Sequence, residues 1–257
     1  MAYRAMNTDT AWLTHIRPKS KSKLRLFCFP YSGAGASVYY TWVNNFPSTI
    51  EVCPVQLPGR ENRLSEPLFT QLGPLVEAAA QALLPYLDRP FACFGHSLGA
   101  LLSFELARYW RQHYELTPVR LFVSAHQAPH LPDTYTPIHA LPDQEFVQKI
   151  RDLNGMSEEI LENTELLQLL LPILRADFEI CETYSYTDED PLGSPISAFG
   201  GMKDPYLDRG ELEAWQEHTQ MEFSLRMLPG DHFYLRKNRS LVIEAMIRDL
   251  ADDLPVI

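Results

Sequence analysis

Residues 95–99 read Gly95-His96-Ser97-Leu98-Gly99, and the stretches on either side of them decide the fold. Before them runs the short apolar stretch Arg89-Pro90-Phe91-Ala92-Cys93-Phe94, which is typical of a buried strand. After them, residues 100–113 carry apolar side chains at helical spacing. A strand, a tight turn and a helix around G-x-S-x-G form a nucleophile elbow, in which glycines leave room for the turn. The pattern predicts a nucleophilic Ser97 at a helix N-terminus, where negative charge is favoured.

A serine hydroxyl needs a base, and in folds with this elbow an acid and then a histidine follow the serine along the chain. His232 comes just past an apolar strand pattern at 221–228, so we predict that it is the base. His126 and His130 follow another strand end and are weaker alternatives. His96 adjoins the nucleophile, and we do not expect its side chain to turn back onto the serine. The others are interpreted as solvated or hydrogen-bonded surface groups: His15, His113, His139 and His218.

The acid must orient the imidazole and stabilise its charged form. The run 195–201 is typical of a buried strand, and Asp204 follows it at the carboxyl edge, where sites in open α/β sheets lie. Asp204 is therefore the predicted acid. Asp208 is the near alternative, but it falls where a helix would begin and resembles an N-cap. Asp231 adjoins the predicted base, and we expect it to shape the turn.

A tetrahedral intermediate also needs hydrogen-bond donors for its oxyanion. The backbone N–H of Leu98, the residue after the nucleophile, is the first predicted donor. The second is expected in the small-residue loop after the strand pattern at 24–29, at the N–H of Ser32 or, failing that, of Tyr31. The glycines of this loop could suggest a phosphate loop, but no Lys-Ser/Thr pair follows them.

Strand and helix patterns alternate along the chain, which predicts one domain with a mostly parallel sheet and helices on both faces. The strand patterns lie near 24–29, 51–56, 91–95, 119–125, 195–199 and 222–228. The helical patterns between them lie near 70–87, 98–114, 208–219 and 240–253.

The alternation breaks at residues 131–191, where two helical patterns, 142–153 and 164–184, follow each other without a strand. An insertion at this place would lie over the active-site edge, and we call residues 131–191 the lid. Most of its leucines are expected to pack against the core. Leu170 and Leu174, four residues apart on one helix face, are our candidates for lining an acyl channel.

Composition narrows the classes of function. Lys and Arg number 22 and Asp and Glu 33, a net charge of −11, which argues against a nucleic-acid binder. No apolar run is long enough to span a membrane, and residues 1–22 lack a signal core. The four cysteines have no metal-type spacing, so we expect reduced thiols, no metal site and a cytoplasmic location.

Six segments together resemble the type II, or external, thioesterases that accompany non-ribosomal peptide and polyketide synthases, a group similar to the animal medium-chain acyl-carrier-protein thioesterase. They are 29–37, Trp42, 56–61, 95–99, 200–205 and 230–235. The resemblance implies an α/β-hydrolase fold, with the nucleophile at Ser97, the acid at Asp204 and the base at His232. Ala34 stands where that family often has a second glycine.

The resemblance implies hydrolysis of acyl or aminoacyl thioesters on the phosphopantetheine arm of carrier proteins, which clears mis-primed carriers. The only cofactor involved would be the partner's own arm, and we expect a monomer that binds neither nucleic acid nor membrane. Three alternatives stay open. They are release of medium-chain fatty acyl groups, hydrolysis of small free esters by an esterase or lipase, and a catalytically inert binding module.

Overall fold

The computed structural model describes residues 11–16, 19–132, 135–156 and 158–254. Its centre is a sheet of six strands in the order β2-β1-β3-β4-β5-β6, in which each neighbouring pair runs parallel. The strands are β1 (Leu24–Phe29), β2 (Ile50–Pro54), β3 (Phe91–His96), β4 (Leu121–Ser124), β5 (Ile196–Gly201) and β6 (Phe223–Leu228). The expectation of a parallel sheet is confirmed.

Strand β3 lies in the middle of the sheet, between β1 and β4, and its carboxyl end leads directly to Ser97. Every residue of β1, β3, β4 and β5 is buried, because helices cover both faces. Phe29, the last residue of β1, pairs with Gly95 near the end of β3. This register sets the loop after β1 beside the turn that holds Ser97.

Four helices connect or follow the strands: α1 (Leu72–Leu83), α2 (Leu98–Tyr114), α6 (Arg209–Glu213) and α7 (Leu235–Asp253). Helix α1 ends earlier than the helical pattern, and a 3₁₀ turn that contains Pro85 follows it. Helix α6 likewise gives way to a 3₁₀ segment at Ala214–His218. Helix α7 begins five residues before the predicted 240 and is kinked at Asn238, whose backbone is non-helical.

The described part of the lid contains three helices: α3 (Asp143–Asp152), α4 (Glu158–Glu162) and α5 (Thr164–Glu182). The first and third match the helical patterns, whereas the short α4 was not predicted. The side chain of Asn163 caps α5 by accepting the Leu166 N–H at 3.1 Å. Phe146, Ile150 and Leu174 form a small cluster separate from the main core. The lid therefore carries part of its own hydrophobic packing.

Buried ion pairs fasten the amino-terminal edge of the sheet. Arg25 on β1 donates from Nε to Glu51 Oε2 on β2 at 2.6 Å. Arg120, directly before β4, bonds Asp253 at the end of α7 at 2.6 Å. Arg226, further along β6 and only half-buried, bonds Asp249 of α7 at 2.6 Å. None of the helices in the described ranges combines the length and the apolar character that a membrane span requires.

Candidate active site

The turn between β3 and α2 has the backbone conformation of a nucleophile elbow. Ser97 adopts φ 53° and ψ −122°, and its N–H donates to the carbonyl of Ser124 at 2.8 Å. A Cβ on Gly95 would overlap the backbone of Gly99, and one on Gly99 would overlap the carbonyl group of Phe29. Only glycine fits at either position. The sequence G-x-S-x-G is therefore required here by the space around the backbone.

Asp204 and His232 are hydrogen-bonded to each other. Asp204 lies on the loop after β5 and His232 on the loop after β6, and these strands are neighbours. His232 Nδ1 lies 2.7 Å from Asp204 Oδ2, and the Asp204 side chain is fully buried. The other carboxylate oxygen accepts the Tyr206 N–H at 3.0 Å, so both oxygens are fixed. A neutral imidazole that donates from Nδ1 to a carboxylate leaves Nε2 as a proton acceptor.

One cavity of about 540 Å³ brings the predicted groups together. Ser97 and His232 both line it, as do Tyr31 and Ser32 from the loop after β1. Leu174 of α5 lines it from the lid side. The five loops at the carboxyl ends of β1, β3, β4, β5 and β6 thus open onto a shared space that the lid covers.

The loop after β1 forms a tight turn around Ser32. The Tyr31 carbonyl accepts the Ala34 N–H at 3.0 Å, and Gly33 has φ +78°. A positive φ at the third of four residues, without one at the second, is typical of a type II turn, here with Ser32 and Gly33 at its centre. Leu98, at the first position of α2, lies across from this turn because β1 and β3 are adjacent. These are the two positions from which the sequence predicts oxyanion donors.

Asp208, the alternative acid, has a structural role. It is the N-cap of α6, where its Oδ1 accepts the Glu211 N–H at 2.9 Å. The Glu211 carboxylate in turn accepts the Asp208 N–H at 2.7 Å, which completes a capping box. Asp231 accepts the Phe233 N–H at 2.9 Å and so shapes the turn before α7. Neither carboxylate is the hydrogen-bond partner of the His232 ring.

His96 supports the floor of the site from below. Its ring is fully buried, and its Nδ1 lies 2.7 Å from Ser124 Oγ, which is also bonded to the Tyr234 hydroxyl. The ring centroid lies 5.4 Å from that of His232. Burial, with a smaller contribution from His232, holds the pKa of His96 well below its ordinary value. His96 is therefore neutral at physiological pH and does not turn back toward Ser97.

The interpretation of His218 as a surface group is wrong. Its ring is buried against Phe104 and Trp215, at centroid distances of 5.1 and 5.6 Å. His218 Nε2 lies 2.7 Å from Nδ1 of His130, which itself lines the cavity. Burial lowers the pKa of His218 to about 4, so the ring is neutral. No local pattern marks this pair, because Phe104 and His130 come from segments far from His218 along the chain.

The weaker alternatives for the base lie in the cavity wall. His126 Nδ1 lies 2.8 Å from the carbonyl of Gln127, and His130 is bonded to His218. Both follow β4, as predicted, and line the cavity beside Tyr184 and Tyr186 of the lid. Polar side chains therefore make up part of the wall of this cavity, for which the sequence indicates only leucine candidates in the lid.

Comparisons with known proteins identify the family of the chain. Residues 24–252 match the family model described as Thioesterase domain. The gramicidin S biosynthesis protein GrsT of Aneurinibacillus migulanus is 48% identical over 239 residues, which cover 93% of each chain. The linear gramicidin dehydrogenase LgrE of Brevibacillus parabrevis is 48% identical over 239 residues, 92% of this chain and 91% of that one. The structure of BorB, a type II thioesterase from the borrelidin biosynthetic cluster, superposes with a TM-score of 0.85 at 34% identity, covering 92% of this chain and 96% of BorB.

One of these relatives is named a dehydrogenase, but the loop after β1 does not have the form of a dinucleotide site. Gly33-Ala34-Gly35 begins like the G-x-G-x-x-G fingerprint, yet Val38 stands where the third glycine belongs. A Cβ on Gly33 would overlap the Leu174 side chain, and one on Gly35 would overlap Glu61. The space beside these glycines is filled by side chains. Because the family model matches residues 24–252, almost the whole chain, the chain belongs to the thioesterase family and is a thioester hydrolase of α/β-hydrolase fold.

Proposed function

We propose that this thioesterase removes acyl or aminoacyl groups from the phosphopantetheine arm of carrier proteins that belong to a non-ribosomal peptide or polyketide synthase. The observation that carries this proposal is that two cavities meet at the turn around Ser32. The first contains Ser97 and His232, and the second, of about 720 Å³, runs past Arg60 and Leu170. A carrier-bound thioester has a long group on each side of its carbonyl. One cavity would take the acyl group and the other the arm.

In this proposal Ser97, His232 and Asp204 act as nucleophile, base and orienting acid. His232 Nε2 accepts the Ser97 hydroxyl proton while the oxygen attacks the thioester carbonyl. The backbone N–H groups of Leu98 and Ser32 stabilise the oxyanion. The C–S bond then breaks, and His232 passes its proton to the departing pantetheine thiolate. His232 next takes a proton from water, which attacks the acyl-serine, and returns that proton to Ser97 as the free acid leaves. The sequence of steps requires no metal or redox cofactor.

The lid, in the same proposal, excludes water from the acyl-enzyme and limits the size of the acyl group. Leu174 lines both cavities and is only 5% exposed. Leu170, the other sequence candidate, lines the second cavity and is absent from the lining of the first. We therefore assign Leu174 to the acyl path and Leu170 to the path of the arm.

The acyl cavity has a wall that is partly polar. His130, Tyr184 and Tyr186 line the same cavity as Ser97. His130 bonds His218 at 2.7 Å and the Tyr184 hydroxyl donates to Glu105 at 2.7 Å, so an alkyl chain in the cavity would leave neither group without a hydrogen bond. Clearing of mis-primed carriers, in preference to fatty acyl release, is instead supported by the relatives, among them the gramicidin S biosynthesis protein GrsT and the type II thioesterase BorB.

Turnover of matched substrates tests the proposal. The same acyl group would be presented on a carrier protein, on free pantetheine and as a small oxygen ester, and an aminoacyl carrier would be compared with an octanoyl carrier. We expect kcat/KM to fall in the order given and the aminoacyl carrier to exceed the octanoyl one. Preference for the oxygen ester would favour an esterase instead. Preference for the octanoyl carrier would favour fatty acyl release.

We also propose that the protein acts in the cytoplasm as a monomer. All four cysteines are free thiols, and Cys28, Cys53 and Cys93 are buried in the core, as in proteins of reducing compartments. Cell fractionation and sedimentation velocity test these two statements. A periplasmic or secreted pool, or a stable dimer at micromolar concentration, would contradict them.

A further inference from the structure

A buried ion pair joins the lid to the loop after β2. Arg60 donates from Nη1 to Asp177 Oδ2 at 2.6 Å and from Nη2 to Asp177 Oδ1 at 2.8 Å, which is the bidentate geometry of a strong pair. The two side chains are only 5% and 1% exposed. Arg60 belongs to the segment Gln56-Leu57-Pro58-Gly59-Arg60-Glu61, and Asp177 lies on α5.

The same pair holds the turn around Ser32. Asp177 Oδ2 also accepts the Gly33 N–H at 2.7 Å, and Arg60 Nη1 donates to the Ala34 carbonyl at 3.2 Å. Leu174, one helical turn before Asp177, packs directly against Gly33. The turn around Ser32 is thus held at two successive residues, Gly33 by the lid carboxylate and Ala34 by the arginine paired with it.

This arrangement controls which way the turn's central peptide points. In a type II turn the peptide between the second and third residues is rotated by about 180° from its direction in a type I turn. The bond from Gly33 to Asp177 selects the first of these arrangements. Without it, the peptide between Ser32 and Gly33 is free to turn over and carry the Ser32 carbonyl with it, which loosens the turn that holds the Ser32 N–H in place.

A buried ion pair is poor evidence of stabilisation alone, because desolvation of both charges offsets most of their attraction. Among the ion pairs of the described residues, only Arg60–Asp177 and Arg25–Glu51 have both side chains under 10% exposed. The second lies at the amino-terminal edge, away from the site. The first lies against the backbone of the predicted oxyanion donor.

We infer that Arg60 and Asp177 are positioning residues that couple the lid to the oxyanion donor, so that the Ser32 N–H is aimed at the substrate only while α5 is seated. This inference rests on the proposed function for the role of Ser32. Closing of the lid and completion of the oxyanion site would then be a single event.

The pair of variants Asp177→Asn and Glu51→Gln tests the inference, since each removes one charge from a comparably buried arginine pair. We expect Asp177→Asn to lower kcat for acyl-pantetheine about 10- to 100-fold, as small displacements of catalytic groups do, with KM within twofold. Glu51→Gln should lower the melting temperature and leave kcat unchanged. Unchanged kcat in Asp177→Asn, or an equal loss in both variants, would overturn the inference.

A double variant separates positioning from stability. Replacing both charges in Arg60→Met with Asp177→Leu removes the desolvated pair, and such replacements often preserve stability. We expect the double variant to melt near the parent temperature and still to react slowly. Recovery of full activity would show that the pair serves only to fold the lid.

Labelling of Ser97 by a fluorophosphonate separates this inference from the proposed function. Phosphonylation also develops negative charge at the oxyanion position, but it needs no thioester substrate. We expect the labelling rate to fall in Asp177→Asn and in the double variant, but not in Glu51→Gln. A parent enzyme that is labelled but hydrolyses no thioester would refute the proposed substrate class and leave the positioning role standing. Equal labelling rates in all four proteins would refute the positioning role.

Discussion

Ser97 has a backbone conformation that few non-glycine residues adopt, and this conformation carries its hydroxyl into the cavity. At φ 53° the Cβ is held close to the neighbouring backbone, which costs on the order of 1–3 kcal/mol. The turn is stable because glycines flank it and because the Ser97 N–H donates to the carbonyl of Ser124 on β4. Contacts with the buried strands β3 and β4 therefore offset the strain of this turn.

The Ser97→Ala variant should fold normally and lose its chemistry. Alanine keeps the Cβ, so the strain of the turn is unchanged, whereas the attacking oxygen is removed. We expect kcat/KM to fall on the order of 10⁴-fold or more and fluorophosphonate labelling to disappear. Melting temperature is the control for folding. Labelling that persists in this variant would identify a different serine, such as Ser32, as the nucleophile.

Asp204→Asn and Asp208→Asn form a matched pair of substitutions four residues apart. The amide at 204 no longer holds His232 in the tautomer that leaves Nε2 free, so we expect about a 10³- to 10⁴-fold loss of kcat. Asparagine at 208 remains a good N-cap, so activity and melting temperature should stay near parental values. Steady-state kinetics and thermal unfolding measure both. A reversal of the two activities would assign the acid to Asp208.

At the scale of residues, the sequence predicts where catalytic side chains lie in the fold better than it predicts which distant side chains contact each other. Ser97, Asp204 and His232 each follow an apolar strand pattern, and parallel strands bring their carboxyl ends to one edge. That reasoning requires no distances. The pairs His130–His218 and Arg60–Asp177 join segments 88 and 117 residues apart, and no local pattern marks such contacts. His218 was misplaced for this reason.

At the scale of elements, the lid offers a test of which leucine limits the acyl group. Leu174→Ala enlarges the cavity that contains Ser97, whereas Leu170→Ala enlarges the second cavity alone. We expect Leu174→Ala to raise the ratio of long- to short-acyl turnover, and Leu170→Ala to change KM for pantetheine substrates at a constant ratio. The ratio of kcat/KM values for hexanoyl and dodecanoyl pantetheine, with melting temperatures, measures this.

An unchanged acyl ratio in Leu174→Ala would indicate that this leucine serves packing alone. Leu174 also packs with Phe146 and Ile150, so its truncation should cost about 2–5 kcal/mol if packing is its role. Loss of stability with an unchanged acyl ratio would make Leu174 a packing residue of the lid. Leu170, half-buried on the same helix, serves as the comparison because less of its surface is lost from the core.

Elements with a regular pattern were predicted well, and elements set by their surroundings were not. Strands β1, β3, β4 and β5 are buried on both faces and mostly apolar, so their positions could be seen from residue type alone. Helix α4 has five residues and too few turns to show a period. Helix α7 starts before its apolar pattern because the turn after His232 leads directly into it, and Asn238 kinks it there. Both features depend on tertiary contacts.

At the scale of the whole molecule, buried neutral histidines make stability depend on pH. The pKa of His218 is lowered to about 4 by burial and next by its neighbours His130 and Arg108, whereas an unfolded histidine titrates near 6.5. Between these values the unfolded chain binds a proton that the folded chain does not. Stability is therefore fully present above about pH 6.5 and declines as pH falls toward about 4. His96 acts in the same direction.

Urea unfolding at pH 7.5, 6.0 and 5.0 measures this decline, with His218→Gln as the comparison. Glutamine keeps a hydrogen-bonding side chain beside His130 but does not titrate. We expect the variant to lose less stability than the parent between pH 7.5 and 5.0, even if its stability at pH 7.5 is lower. Parallel pH profiles for the two proteins would show that His218 does not contribute to acid sensitivity.

The ion pairs of Arg25 and Arg120 belong to the amino-terminal half of the sheet, whereas the reacting groups stand at its other end. Selection for a durable scaffold and selection for a particular substrate thus act on different residues. A lineage of such enzymes is able to exchange the segment between β4 and β5 for one of another length without disturbing what anchors the strands. Sequence differences between enzymes that act on different substrates would then be concentrated at the carboxyl end of the sheet, and the residues at the amino-terminal end would change slowly.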